Sequence, residues 1–113
     1  MPLDARKYLY DIQRAASLLA EFTAGKGFED YTREPMLRAA VERQFEVIGE
    51  ALARLARLDK ALAERIGEYE RIIAFRNILI HGYAEVDDRL VWDIIQAKLP
   101  RLVRDVDALL AGS

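Results

Sequence analysis

Arg76, Asn77, His81 and Tyr83 are the residues of this chain whose types and spacing could do chemistry. They interrupt a run from Arg71 to Tyr83 in which Ile72, Ile73, Ala74, Phe75, Ile78, Leu79 and Ile80 leave no polar face. A helix that is apolar all round is normally buried. A guanidinium, an amide and the chain's single histidine are therefore expected to line a cleft or an interface, because a buried polar group without a partner costs about 1–3 kcal/mol.

Arg76 is suited to gripping two oxygens of a phosphate. His81 supplies an imidazole, the side chain suited both to take and to give a proton. Together, and without metal ligands, they make a minimal kit for cleaving RNA. The imidazole would assist attack by the ribose 2′-hydroxyl or protonate the leaving oxygen, and the guanidinium would stabilise charge on a phosphorane-like transition state. Asn77 precedes His81 by four positions, so amide and imidazole share one side of a helix. Arg76 and His81 are five apart, a turn of about 140° on an ideal helix. They converge only if His81 leaves the helix at its end, or if a second copy of the chain supplies the partner residue. The same spacing also fits a structural histidine at a helix terminus and an Arg76 ion-paired with Glu50 or Glu46. Tyr83 taken singly fits a core or interface tyrosine.

The elements that must position these groups are helical. Tyr8, Ile12, Ala15, Leu19 and Phe22 form one stripe of a first helix over about 4–24, with Asp4 as its N-cap and Gly25-Lys26-Gly27 opening a loop. A second helix starts between Thr32 and Pro35 and carries Leu37, Val41, Phe45, Ile48, Leu52 and Leu55 to about Arg57. Gly49 in its middle predicts close approach of another helix. A short helical turn covers 59–66, and the Arg76 helix runs over 68–81, stopped by Gly82. Asp87 or Asp88 caps the last helix, where Pro100 predicts a kink or two abutting helices. No segment alternates with period two. The expectation is an all-α, four-to-five-helix antiparallel bundle forming a single domain over 1–113.

Composition narrows the function. With 52% apolar and 32% charged residues the 113-residue chain reads as one globular domain. Without cysteine, and with one histidine, a metal would have to sit on carboxylates alone, so no metal and no cofactor are expected. A net charge of −2 argues against coating duplex nucleic acid and leaves room for a small local phosphate site. No run is long enough to span a bilayer and the first residues are not a signal peptide, which predicts a cytoplasmic protein with no membrane contact.

The string Arg76-Asn77-x-x-x-His81-Gly82-Tyr83 resembles the R-x4-H-x-Y motif of the HEPN superfamily, in particular its HepT-like branch. Ile48-Gly49-Glu50-Ala51 resembles that branch's second-helix signature. Val86-Asp87, Val91-Trp92-Asp93-Ile94-Ile95 and Leu99-Pro100 resemble its C-terminal half. The resemblance implies a homodimer whose cleft unites both copies of the motif. It also implies a metal-independent endoribonuclease, the toxin of a toxin–antitoxin pair acting on transfer or messenger RNA. By position, Arg76 and His81 would be catalytic and Asn77 would orient them. Tyr83 matches the tyrosine that the MntA minimal nucleotidyltransferase antitoxin modifies with AMP. Where relatives often carry Pro-Trp before the Arg helix, this chain has Ile66-Gly67-Glu68-Tyr69, which leaves the packing of the helix start open. Two other readings fit the same residues: a non-catalytic HEPN module that binds nucleotide or docks a nucleotidyltransferase, and a plain dimerisation domain. The chain lacks a Gly-Ser turn followed by an Asp-x-Asp carboxylate pair, so it is not itself the nucleotidyltransferase.

Overall fold

A computed structural model describes residues 1–82 and 86–112, and among these the chain is helical throughout, with no strand. Two long helices form its centre: α1 (Leu3–Thr23) and α3 (Pro35–Leu58), with the short α2 (Phe28–Arg33) between them. A helical turn, α4 (Lys60–Ala63), leads to α5 (Tyr69–His81), followed by α6 (Asp88–Ala97) and α7 (Leu99–Ala111). The expected four-to-five helices are thus seven among the described residues. Part of the increase is the break at Pro100, where α6 and α7 abut at Lys98. The rest is α2, in a stretch expected to be loop.

That stretch folds for tertiary reasons. The Gly27 N–H donates to the Asp30 carboxylate at 2.8 Å, closing the first turn of α2. Tyr31 is wholly buried against Trp92 of α6, with ring centroids 5.6 Å apart. The Arg89 guanidinium lies 3.7 Å over the Phe28 ring. Trp92 and Arg89 are remote in sequence, so no period within six residues announces the helix. Asp4 sits in the first turn of α1 rather than at its N-cap, which is Pro2. There its charge still faces the positive end of the helix dipole. Asp87 does cap α6, accepting from the Arg89 N–H at 2.9 Å.

α1 lies along α3, α5 packs on α3, and α7 returns to α1. Lys7 and Tyr8 line a groove with Arg54, whereas Leu18 lines one with Gln44, so α1 and α3 run antiparallel. Leu9, Ile12 and Leu19 of α1 meet Val41, Phe45, Ile48, Leu52 and Leu55 of α3 in one core that also takes in Ile66, Val91, Leu102 and Val106. Phe45 and Phe75 meet edge to face at 5.1 Å and tie α5 to α3.

The start of α5 is held from the far end of the chain. Ile66 and Tyr69 fill the core at the start of the helix. The Gly67 N–H donates to Asp105 of α7 at 2.9 Å. Glu68, the N-cap, takes a left-handed conformation (φ 59°) rarely adopted outside glycine. Lys98, at the α6–α7 junction, grips its carboxylate at 2.9 Å, and Arg71 adds a second contact at 3.1 Å. Truncating Phe75→Ala should cost about 3–5 kcal/mol, read as a lower urea midpoint with an unchanged slope, since it removes the aromatic that seats α5.

Candidate functional site

α5 buries only one face. Tyr69, Ile72, Phe75 and Leu79 point into the core. Ala74, Asn77, Ile78, Ile80 and His81 are exposed, Ile78 at 48% and Ile80 at 40%. The expectation that the apolar run is buried therefore fails within a single chain. Among the described residues α5 packs chiefly on α3, so its other apolar residues face outward. Beside them, Leu90 and Ile94 of α6 join Ala74, Phe75 and Ile78 in a groove of about 300 Å³, flanked by Arg71 and Lys98.

The four sequence-predicted residues divide accordingly. Asn77 and His81 share the exposed stripe, and no hydrogen bond joins them. His81 is the last residue of α5, whose ladder continues to the Gly82 N–H donating to Ile78 O at 2.7 Å. The histidine does not leave the helix, so the roughly 140° between it and Arg76 stands. Tyr83 lies outside the described residues.

Arg76 points the other way, into the α3–α5 contact, where its side chain keeps 16% exposure. Its stem crosses Gly49. A methyl group there would overlap the Arg76 Cβ and come within 2.5 Å of Cγ and 3.3 Å of Nε. Mid-helix glycine costs about 1 kcal/mol relative to alanine, and here that cost leaves the space the arginine stem occupies. The close approach expected at Gly49 is present, and what approaches is the candidate catalytic side chain itself. Glu50, next in sequence, ion-pairs with the guanidinium (Arg76 Nη2 to Glu50 Oε2, 3.3 Å). Its other oxygen accepts from Arg54 Nε at 2.8 Å. Of the two ion-pair partners considered for Arg76, Glu50 is the one used.

The Arg76 Nε–H is fully buried without an acceptor among the described residues. Such orphaned donors are rare in folded proteins. The Arg54 hydrogen bond first, and the charges of Arg76 and Arg57 after it, hold the Glu50 carboxyl below the usual carboxylate range. Among the described residues no three His, Cys, Asp or Glu side chains cluster closely enough to hold a metal ion. No described helix is long and apolar enough to cross a membrane.

Composition and spacing singled out Arg76 and His81, but read Gly49 as packing alone and Glu50 only as one of two partners. The signal that links them is their adjacency on the second-helix stripe, one turn after Phe45, which itself meets the Arg76 helix.

A depressed folded pKa at Glu50 contributes stability above the unfolded value and loses it as pH falls through the folded one. Thermal melts from neutral to acid pH should therefore show a shallower acid decline for Glu50→Gln than for the wild type. The wild type should keep a small advantage at neutral pH, small because Glu50 is nearly half exposed, and the two should converge at acid pH, where Glu50 is protonated.

Comparison with known proteins agrees with this architecture. The family model described as Ribonuclease HepT-like matches residues 12–109. A provisionally named RNase of Methanocaldococcus jannaschii is 33% identical over 104 residues, covering 92% of this chain and 94% of that one. Another, from Caldanaerobacter subterraneus subsp. tengcongensis, is 32% identical over 105 residues, covering 93% of each. A protein of Thermococcus cleftensis, provisionally named ribonuclease HepT, is 35% identical over 97 residues, covering 86% of this chain and 87% of that one. No solved structure matches the chain.

Proposed function

The chain belongs to the HepT-like ribonuclease family, and on that premise we propose that it is a metal-independent endoribonuclease, the toxin of a toxin–antitoxin pair, working in the cytoplasm as a homodimer. One observation carries the reading. Arg76 and His81 diverge on a helix that stays helical to His81, and the histidine stands beside exposed Ile78 and Ile80. Apolar residues exposed next to a catalytic candidate are what a second subunit would cover. Ile78 and Ile80 flank the Asn77–His81 stripe on its two sides, and a second copy seated over that stripe would bring the Arg76 of one copy toward the His81 of the other and complete the cleft.

The chemistry follows from the two groups. A ribose 2′-oxygen attacks the adjacent phosphorus, giving up its proton as the P–O bond forms, and the P–O5′ bond breaks as the leaving oxygen gains a proton. His81 supports one of these proton transfers. Arg76 offsets the charge that gathers on the non-bridging oxygens, the task for which a fixed guanidinium is best suited. Asn77, on the same stripe as His81, is placed to orient the imidazole or the substrate. Tyr83, two positions beyond His81, is the proposed acceptor of AMP from an MntA-like nucleotidyltransferase. Added phosphate there would repel and obstruct an RNA backbone.

Purified protein should cut single-stranded or transfer RNA in excess chelator, and Arg76→Ala and His81→Ala should each lower the rate by about 10²-fold or more. Mixing the two inactive variants under subunit exchange should restore part of the activity, because one site of each mixed dimer then holds both intact groups. No restoration would place the pair within one subunit, and activity that survives His81→Ala or needs magnesium would overturn the mechanism. Uncut RNA, with nucleotide binding that Arg76→Ala removes, would instead indicate a non-catalytic binding module. Co-expression with the nucleotidyltransferase should add AMP-sized mass to Tyr83, and its appearance on Tyr8 or Tyr69 would refute the regulatory part.

A further inference from the structure

Arg76 is held on two sides by consecutive residues of α3. On one side its Cβ and Cγ lie over Gly49, with no room for even a methyl group. On the other, its Nη2 meets the Glu50 carboxylate at 3.3 Å. The part of the side chain that Gly49 admits is the rigid root, not the flexible tip, so a substituent there must displace α5 or swing the whole arginine. The guanidinium is further fixed by burial of its Nε–H, which has no acceptor among the described residues. Arginine carries five N–H donors in a planar fork. With one terminal nitrogen tied to Glu50, the plane of the fork is set before any substrate arrives. Glu50 is itself held, its second oxygen engaged by Arg54 at 2.8 Å. A side chain fixed by its neighbours in this way acts with less reorganisation at the moment of reaction.

From this geometry we infer that Gly49 and Glu50 are positioning residues for the reaction, setting the direction and plane of the Arg76 guanidinium toward the scissile phosphate. The inference rests on the nuclease reading above. Glu50 touches no reacting atom and acts only through Arg76. Its exposure of 45% makes it a minor contributor to folding, which separates aim from stability. Gly49 allows the approach and Glu50 fixes the angle. Arg54 keeps Glu50 from rotating away.

The test uses the full-length chain and four variants: Glu50→Gln, which keeps size and removes charge, Gly49→Ala, Arg76→Ala, and Glu50→Gln with Arg76→Ala. Glu50→Gln should lower kcat by about 10²-fold with KM changed far less, the signature of a misaimed group. Affinity for an uncleavable 2′-deoxy-substituted oligonucleotide should fall with Arg76→Ala and, by no more than the small change in KM, with Glu50→Gln. The double variant should bind as Arg76→Ala does, because Glu50 has nothing left to aim. A structural role would add a further loss. In proton–nitrogen spectra the Arg76 Nε–H should appear as a slowly exchanging signal, and Glu50→Gln should shift it and speed its exchange.

If wild type cleaves and Arg76→Ala does not, yet Glu50→Gln keeps full kcat and an unmoved Nε–H signal, the positioning claim is wrong and the nuclease reading stands. If wild type neither cleaves nor binds RNA, the nuclease reading fails, and with it any role in aiming at a phosphate. Should Gly49→Ala not fold, Glu50→Gln alone decides the matter.

Discussion

The close approach of α5 to α3 at Gly49 is the constraint on which the rest of the molecule depends. It brings Phe75 edge-on to Phe45 and seats Arg76 beside Glu50. It also turns the remaining face of α5 outward. A core contact and a candidate active-site contact are thus one contact, made on one turn of α3. Close-packed interiors transmit small displacements rather than absorbing them, so a change in this seam would reach the guanidinium directly.

The ends of α5 are tied down by different means. At its start, Glu68 adopts an unfavourable left-handed conformation and is held by Lys98, while Gly67 is hydrogen-bonded to Asp105. Residues from the C-terminal third of the chain therefore set where the Arg76 helix begins. At its other end, Gly82 closes the helix immediately after His81. Arg76 and His81 are displayed by a helix whose beginning, middle and end are each fixed by a separate partner: α7 and Lys98, Gly49 of α3, and Gly82.

Much of this was legible before coordinates. The apolar stripes of α1 and α3, the stop at Gly82, the cap at Asp87 and the break at Pro100 all rest on local periodicity or on residues with strong backbone preferences, and the structure repeats them. α2 was not legible, because Tyr31 and Phe28 stabilise it through Trp92 and Arg89, about sixty residues away in sequence. Burial of the apolar run 72–80 within one chain, expected from its hydrophobicity, fails for a related reason. Hydrophobicity says that Ile78 and Ile80 need cover, but not whether the cover comes from the same chain. The type and spacing of Arg76 and His81 were enough to raise a chemical hypothesis. The service of Gly49 and Glu50 to Arg76 depends on how two helices cross, which periodicity within either one does not encode.

The wet isoleucines of α5 have a kinetic consequence. If association of two chains both dries them and completes the cleft, the output of a newly made protein grows with the square of its abundance while copies are scarce. A few stray molecules would then be nearly inactive, and activity would rise only past a threshold concentration. An enzyme whose pocket is complete in one chain has no such grace period.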